Sequence, residues 1–254
     1  MDELKKERTA DIIIGRNSVK EALRSQRSID TILVAKKHSN SLNETLKKAR
    51  EKGLIIKEVD NKKLDTMAKG KVHQGIIAIC AAKEYSSVDD IFSLAQSRNE
   101  NPFIIILDEI EDPHNLGAII RTAECAGAHG IIIPKRRSAS LSFTVSKTSA
   151  GALEYMPVAR VSSLANTIDE LKKRGVWVYG TDMVETKWCQ TDFKGSIAIV
   201  IGNEGKGISR LIKEKCDVLV GLPLCGNVQS LNASVAAGIV MYEVTRQRLC
   251  IKSI

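Results

Sequence analysis

Three stretches of this 254-residue chain combine glycine, asparagine and charge in ways that suit ligand chemistry. The first runs from Asp112-Pro113 through Asn115 and Gly117 to Arg121, whose planar guanidinium can present a fork of donors to a phosphate. The second is Gly202-Asn203-Glu204-Gly205-Lys206-Gly207, where three glycines in six residues let backbone amides crowd a ligand. A carboxylate such as Glu204 is an odd choice for the middle of a plain glycine turn. The third runs from Leu222-Pro223-Leu224 through Gly226 to Ser230, Leu231 and Asn232. There Ser and Asn stand where a helix must begin and can satisfy the free N–H groups of its first turn. Each stretch also has an ordinary reading: a surface arginine paired with Glu124, a generic turn, and a plain helix cap. Neither the G-x-G-x-x-G spacing of dinucleotide folds nor the Walker pattern fits the second stretch, because Gly207 follows Lys206.

All three stretches follow apolar runs, and that sets the architecture. Residues 103–107, 130–133, 176–179, 197–201 and 218–222 are nearly continuous apolar runs. Strands without polar alternation are buried on both faces, and intervening helices make such a sheet parallel. Ligands of such sheets sit beyond the carboxyl ends of the strands, where these stretches fall. From Leu231 the apolar residues recur at Val235, Ile239 and Tyr242, which is helical spacing. Ahead of this sheet, residues 12–14, 31–35, 54–59 and 76–81 read as strands. Residues 18–25, 42–52 and 62–68 read as helices. Residues 83–88 read as a linker and 89–98 as a leading helix.

Charge separates the two parts. Residues 1–84 hold 19 Lys and Arg against 12 Asp and Glu, a net +7, whereas the remainder is +1. A basic front part attached to a near-neutral one suits a polyanion such as RNA, although a solvated lysine-rich surface gives the same composition. His73, in a polar loop, fits either RNA contact or a turn. With four Phe and four Tyr, an aromatic stacking platform is not expected. The six cysteines show no C-x-x-C pair and no metal-ligand spacing, and Cys80 and Cys125 read as small core residues. The charged start lacks a signal peptide's apolar core, and no run is long enough to span a bilayer, so a cytoplasmic location is expected.

Taken together, the three stretches resemble the motifs of the SpoU (TrmH) family of RNA ribose methyltransferases, within the SPOUT superfamily. Asp112, Pro113, Asn115, Gly117 and Arg121 match the first motif, and Gly202, Glu204, Gly205 and Gly207 the second. Pro223, Gly226, Ser230, Leu231 and Asn232 match the third, and Ser149-Ala-Gly-Ala152 resembles a further family step. Departures are Leu224 for a common Met and Ala233 for a common Val. The front part resembles the ribosomal-protein-like RNA-binding domain of the RlmB branch, which acts on 23S rRNA.

The resemblance implies an α/β fold: a C-terminal parallel-sheet domain with a deep trefoil knot, preceded by a small α/β RNA-binding domain. The expected division is 1–82 for RNA binding, 83–100 for linker and leading helix, and 101–254 for catalysis. It further implies S-adenosylmethionine as cofactor, held near Thr181, Ile201, Gly202, Leu222, Leu224 and Leu231, and a homodimer. The reaction implied is methyl transfer to a ribose 2′-hydroxyl of a 23S rRNA guanosine, with no metal. Arg121 would fix a phosphate and stabilise developing alkoxide charge, since guanidinium holds its proton too tightly to act as a base. Asn115, Glu204, Ser230 and Asn232 would orient the hydroxyl and Arg121. The same chemistry on tRNA and a non-catalytic RNA-binding or ribosome-assembly role are the alternatives. An oxidoreductase or kinase would need the glycine fingerprint that is absent.

Overall fold

The computed structural model describes residues 12–24, 28–182 and 188–251; the charged start of the chain lies outside them. The chain divides into two compact units, one reaching to Glu84 and including Ser140–Phe143, the other formed by Tyr85–Ala139 and the chain from Thr144 onward.

The first unit contains β1 (Ile12–Ile14), α1 (Arg16–Arg24), β2 (Ile29–Ala35), α2 (Asn43–Glu51), β3 (Ile55–Val59), α3 (Asn61–Ala68) and β4 (Ile76–Cys80). Its sheet order is β1-β4-β2-β3, with β4 antiparallel to both neighbours and β2 parallel to β3. Side chains alternate across a strand, so β2 serves two cores. Ile32 and Val34 pack with Val19, Leu23, Leu46 and Ala49 of α1 and α2. Leu33 and Ala35 pack with Leu64 and Ala68 of α3. The result is a helix–sheet–helix sandwich.

The second unit contains α4 (Val88–Ser97), β5 (Phe103–Leu107), α5 (Pro113–Cys125), β6 (Gly130–Pro134), α6 (Phe143–Thr148), β7 (Val158–Val161), α7 (Leu164–Lys173), β8 (Trp177–Thr181), β9 (Ile197–Ile201), α8 (Arg210–Lys215), β10 (Val218–Val220) and α9 (Ala233–Arg248). All its strands pair in parallel, in the order β10-β8-β9-β5-β6-β7. The chain thus moves outward from β5 to β7, returns to the far side for β8, and inserts β9 between β8 and β5. This juxtaposes the carboxyl ends of β5, β8 and β9. Every residue of β5 and β9 is buried, as an all-apolar run between two helical layers requires. Ile104, Ile106, Ala198 and Val200 face a core with Leu164, Ile168 and Leu171 of α7. On the opposite side α9 packs on α5 and β9.

Several sequence expectations are corrected. The strand β7 has no counterpart among the expected strands, because it is short and its outer half is only partly buried. The expected linker is partly structured. Ser86 bridges to Ala159, and Ser87 forms a capping box with Asp90 that starts α4 at Val88. Cys125 is exposed at the end of α5 rather than in the core; Cys80 is buried. His73 is a turn residue: Nδ1 accepts from Gly75 N at 3.0 Å and Nε2 meets Asp65 Oδ1 at 3.0 Å.

His129, fully buried, ties the start of β5 to that of β6. Its Nδ1 accepts from Phe103 N at 2.9 Å, so Nε2 carries the proton and donates to Glu100 Oε2 at 2.9 Å. Burial lowers its pKa below the ordinary value, partly offset by Glu100, with Arg98 and Arg248 adding to the lowering. The unfolded chain therefore takes up the proton first as pH falls. Stability is level above the ordinary histidine range and declines below it, toward the folded-state value. Thermal unfolding between pH 7.5 and pH 5 should show this decline. It should be smaller in His129→Asn, which keeps an acceptor for Phe103 N and cannot charge.

Candidate active site

α5 begins at Asp112, whose Oδ1 accepts from His114 N at 3.0 Å, with Pro113 at the first helical position. Pro there has no N–H to leave unsatisfied and a φ suited to the helix. This start puts Asn115 in the first turn, buried. α9 begins at Asn232, whose Oδ1 accepts from Ser234 N at 3.0 Å and Val235 N at 3.3 Å. That cap fixes the amide: its oxygen faces the helix, so Nδ2 must point away. Nδ2 donates to Asn115 Oδ1 at 2.9 Å and to Glu204 Oε1 at 2.7 Å. Asn115 Nδ2 donates to the same Glu204 oxygen at 2.6 Å, and Ala233 N approaches it at 3.4 Å. One carboxylate oxygen therefore collects three N–H groups from two helix starts. That oxygen acts only as an acceptor, and its three donors fix the plane of the carboxylate. Glu204 Oε2 has no hydrogen-bond partner among the described residues, leaving one oxygen of the carboxylate for a substrate.

The loop that carries Glu204 is folded back on itself. Asn203 and Gly207 exchange both backbone hydrogen bonds, at 3.0 and 2.8 Å. Asn203 Oδ1 accepts from Gly205 N and Lys206 N, and its Nδ2 donates to Glu109 O at 3.2 Å. Gly202 has no alternative here. A Cβ would lie 2.2 Å from Gly207 C and 2.3 Å from Ile208 N, closer than any side-chain carbon can approach backbone. Gly117 plays a similar part for α5, since its Cβ would meet Thr148 Cβ at 2.6 Å.

Beside this loop lies a cavity of about 320 Å³ whose walls include Thr181, Ile201, Gly202, Leu222, Leu224 and Leu231. Glu204 and Ser230 also line it. The expected cofactor positions thus share one concave surface, formed by the ends of β8 and β9 and by the segment after β10. The wall is mostly aliphatic side chain and glycine backbone, which suits a flat, uncharged heterocycle. Its charged groups are Glu204, Lys206 and Asp182, the last of which is paired with Lys213. Thr181 is spent on structure: its Oγ1 donates to Val200 O at 3.0 Å.

One expected site residue, Arg121, is placed apart from the cavity, and another, Ser230, lines it without joining the hydrogen-bond network. Arg121 is exposed on α5, does not line the cavity, and has no hydrogen bond or ion pair among the described residues; the pairing with Glu124 does not form. It lies six residues beyond Asn115, on another side of the helix. Ser230 lies in the loop before the helix, and Asn232, not Ser230, is the cap. Asp182 and Asn203 also line the cavity, although neither is a motif position. Asn203 sits inside the glycine-rich stretch, but its role depends on a carbonyl 94 residues away.

A parallel sheet with a cavity at its carboxyl edge, closed by a glycine-rich loop and an asparagine-capped helix, defines a cofactor-dependent α/β transferase. Similarity makes it specific. The model of the SpoU rRNA Methylase family matches residues 102–242, and that of RNA 2′-O ribose methyltransferase substrate binding matches residues 12–86. YacO of Bacillus subtilis (strain 168), named for the TrmH family of tRNA/rRNA methyltransferases, is 50% identical over 240 residues, covering 94% of this chain and 96% of that protein. The crystal structure of the SpoU methyltransferase AviRb from Streptomyces viridochromogenes in complex with AdoMet matches with a TM-score of 0.61 at 25% identity, over 97% of this chain and 94% of its own. An AdoMet-bound rRNA methyltransferase from Sinorhizobium meliloti matches with a TM-score of 0.58 at 25% identity, over 100% and 92%. The chain belongs to the SpoU rRNA methylase family. It is an S-adenosylmethionine-dependent RNA ribose 2′-O-methyltransferase with the SPOUT fold.

Replacing Gly202 by Ala must open the loop against Gly207. Calorimetric titration with S-adenosylmethionine should show affinity reduced about tenfold or more, as expected when about 1.4 kcal/mol or more of binding is lost. Glu204→Ala leaves the Asn115 and Asn232 amides without their shared acceptor. Urea unfolding should register a loss of about 1–3 kcal/mol.

Proposed function

We propose that the protein methylates the ribose 2′-hydroxyl of a guanosine in 23S rRNA, as a cytoplasmic homodimer, with Thr181, Ile201, Gly202, Leu222, Leu224 and Leu231 holding the cofactor. The observation that carries this reading is the Glu204 carboxylate, fixed by Asn115 and Asn232 at the wall of the cavity with one oxygen left open. Bound there, S-adenosylmethionine supplies a methyl carbon activated by its sulfonium. Glu204 Oε2 accepts a hydrogen bond from the incoming hydroxyl and would take its proton as the new C–O bond forms and the methyl–sulfur bond breaks, with S-adenosylhomocysteine as the leaving group. Asn115 and Asn232 hold the carboxylate in place throughout, and Ser230, on the same wall, orients the ribose. Arg121 engages the adjacent phosphate.

Arg121 is off the cavity of its own subunit, which supports its service to the cavity of a second copy. The outer face of α9 supports the same pairing. Val235 and Tyr242 are 50% and 52% exposed there, with Ile239 between them only partly buried. Three apolar groups at helical spacing on an exposed face suit a partner subunit. For the substrate, the basic front part and its match to an RNA substrate-binding model support a large structured RNA, and rRNA before tRNA. Among the described residues no helix is long and apolar enough to cross a membrane.

Methyl transfer from labelled S-adenosylmethionine to unmodified 23S rRNA and to tRNA, with the labelled nucleotide mapped, tests this directly. A single ribose-methylated guanosine in 23S rRNA is expected, reduced at least a hundredfold in Arg121→Ala. Label appearing only in tRNA overturns the choice of substrate. Mixing Arg121→Ala with Glu204→Ala subunits should restore part of the activity if each site draws on two chains; no recovery counts against the shared site.

A further inference from the structure

A second cavity, of about 190 Å³, adjoins the first at the carboxyl ends of β5 and β6, with Asp108, Glu109, Arg136, Arg137, Ser163 and Ser209 in its walls. Their walls are linked by a hydrogen bond: Asn203, which lines the first, donates its amide to the backbone O of Glu109, which lines the second. Lys135-Arg136-Arg137 is a run of three cations in a unit of otherwise balanced charge. Arg137 Nη1 donates to Glu109 Oε1 at 2.6 Å. Both residues have positive φ, 54° and 59°, which non-glycine residues adopt at a cost and which here turns the two side chains toward each other. Ala139 N, bonded to Ile110 O at 2.8 Å, ties the same two loops.

The pair leaves most of Arg137 unspent. Its side chain is 74% exposed, against 19% for Glu109, and a guanidinium has five N–H donors of which Glu109 takes one. Arg136 beside it is exposed and has no hydrogen bond or ion pair among the described residues. The facing acids are Asp108, Glu109 and Glu111. Asp108 is buried and accepts from Ser209 N at 2.8 Å, and Glu109 is spent on Arg137. That leaves Glu111 as the open carboxylate opposite two open cations, Lys135 and Arg136, and the free edge of Arg137.

We propose that the Lys135–Arg137 loop is an RNA-docking element of the catalytic unit, in which Arg136 and the Glu109-anchored Arg137 together grip a backbone phosphate of the substrate next to the methyl-transfer cavity. This rests on the reading of that cavity as the site of RNA methylation. Glu109 is a positioning residue: it fixes the guanidinium plane so that the free edge meets the phosphate without further ordering.

The test uses the full-length protein, an unmodified 23S rRNA fragment and a tRNA transcript. Binding is followed by fluorescence anisotropy across a salt series, alongside methyl-transfer kinetics. Arg136→Ala and Arg137→Lys, the second of which keeps a cation for Glu109, should each raise the KM for RNA about tenfold. The kcat and the S-adenosylmethionine affinity should stay within twofold of wild type. Arg136→Ala should also reduce the slope of log affinity against log salt by about one. An unchanged KM and slope in both variants overturns the proposal. So does a fall in kcat with unchanged KM and slope, since the loop would then only position catalytic groups. If the wild type methylates neither RNA, the function proposed above fails, and the salt slopes still decide this inference.

Discussion

One carboxylate oxygen holds the catalytic end of this protein together. Glu204 Oε1 receives N–H groups from Asn115 in the first turn of α5 and from Asn232 at the cap of α9, which come from sequence positions more than a hundred residues apart. Each asparagine has both ends of its amide committed, and each commitment forces the next. The helix cap orients Asn232, Asn232 orients Asn115, and both orient the carboxylate. Asn115 is buried, whereas Glu204 and Asn232 are exposed, so the network ties a buried amide to a carboxylate that solvent and substrate can reach.

The network can exist only because the backbone around it approaches unusually closely. Gly202 lets the loop return onto Gly207, and Gly117 lets α5 settle on Thr148. At the other end of α9, Gln247 bonds both Thr191 O and Phe193 N, and Arg248 donates to Asn101, Pro102 and Gly195 carbonyls. The guanidinium of Arg248 also stacks 5.2 Å from the ring centroid of Phe103. The helix is therefore fixed at both ends, one on the starts of β5 and β9 and one on the loop that follows β9. Its cap can hold Glu204 because its far end cannot drift.

Chemistry and adhesion are distributed differently along the chain. The second unit is nearly neutral and shapes a cavity from aliphatic side chains and glycine backbone. Lys206 lines the cavity, whereas Arg121 on α5 and Lys135–Arg137 beyond β6 stand at its rim, off its wall. Phosphates of a large substrate are met from that rim.

Much of this was legible in the residues. The uninterrupted aliphatic runs fixed a buried parallel sheet, because a strand covered on both faces has no place for polar alternation. Gly, Asn, Glu and Ser at strand ends marked the cavity wall, because only those residue types suit close backbone approach and oriented hydrogen bonding. The short strand β7 escaped detection because its partly exposed outer half carries little local pattern. Cys125 reads as core from its apolar neighbours, yet helical phase turns it outward. Which of Ser230 and Asn232 caps α9, and that Arg121 faces away from the cavity holding Glu204, depend on where a helix starts and how it is rotated against its sheet. Local composition determined the parts and their chemistry. Contacts between residues far apart in the chain decided which groups meet, because hydrogen-bond geometry is set by packing and not by neighbours in sequence.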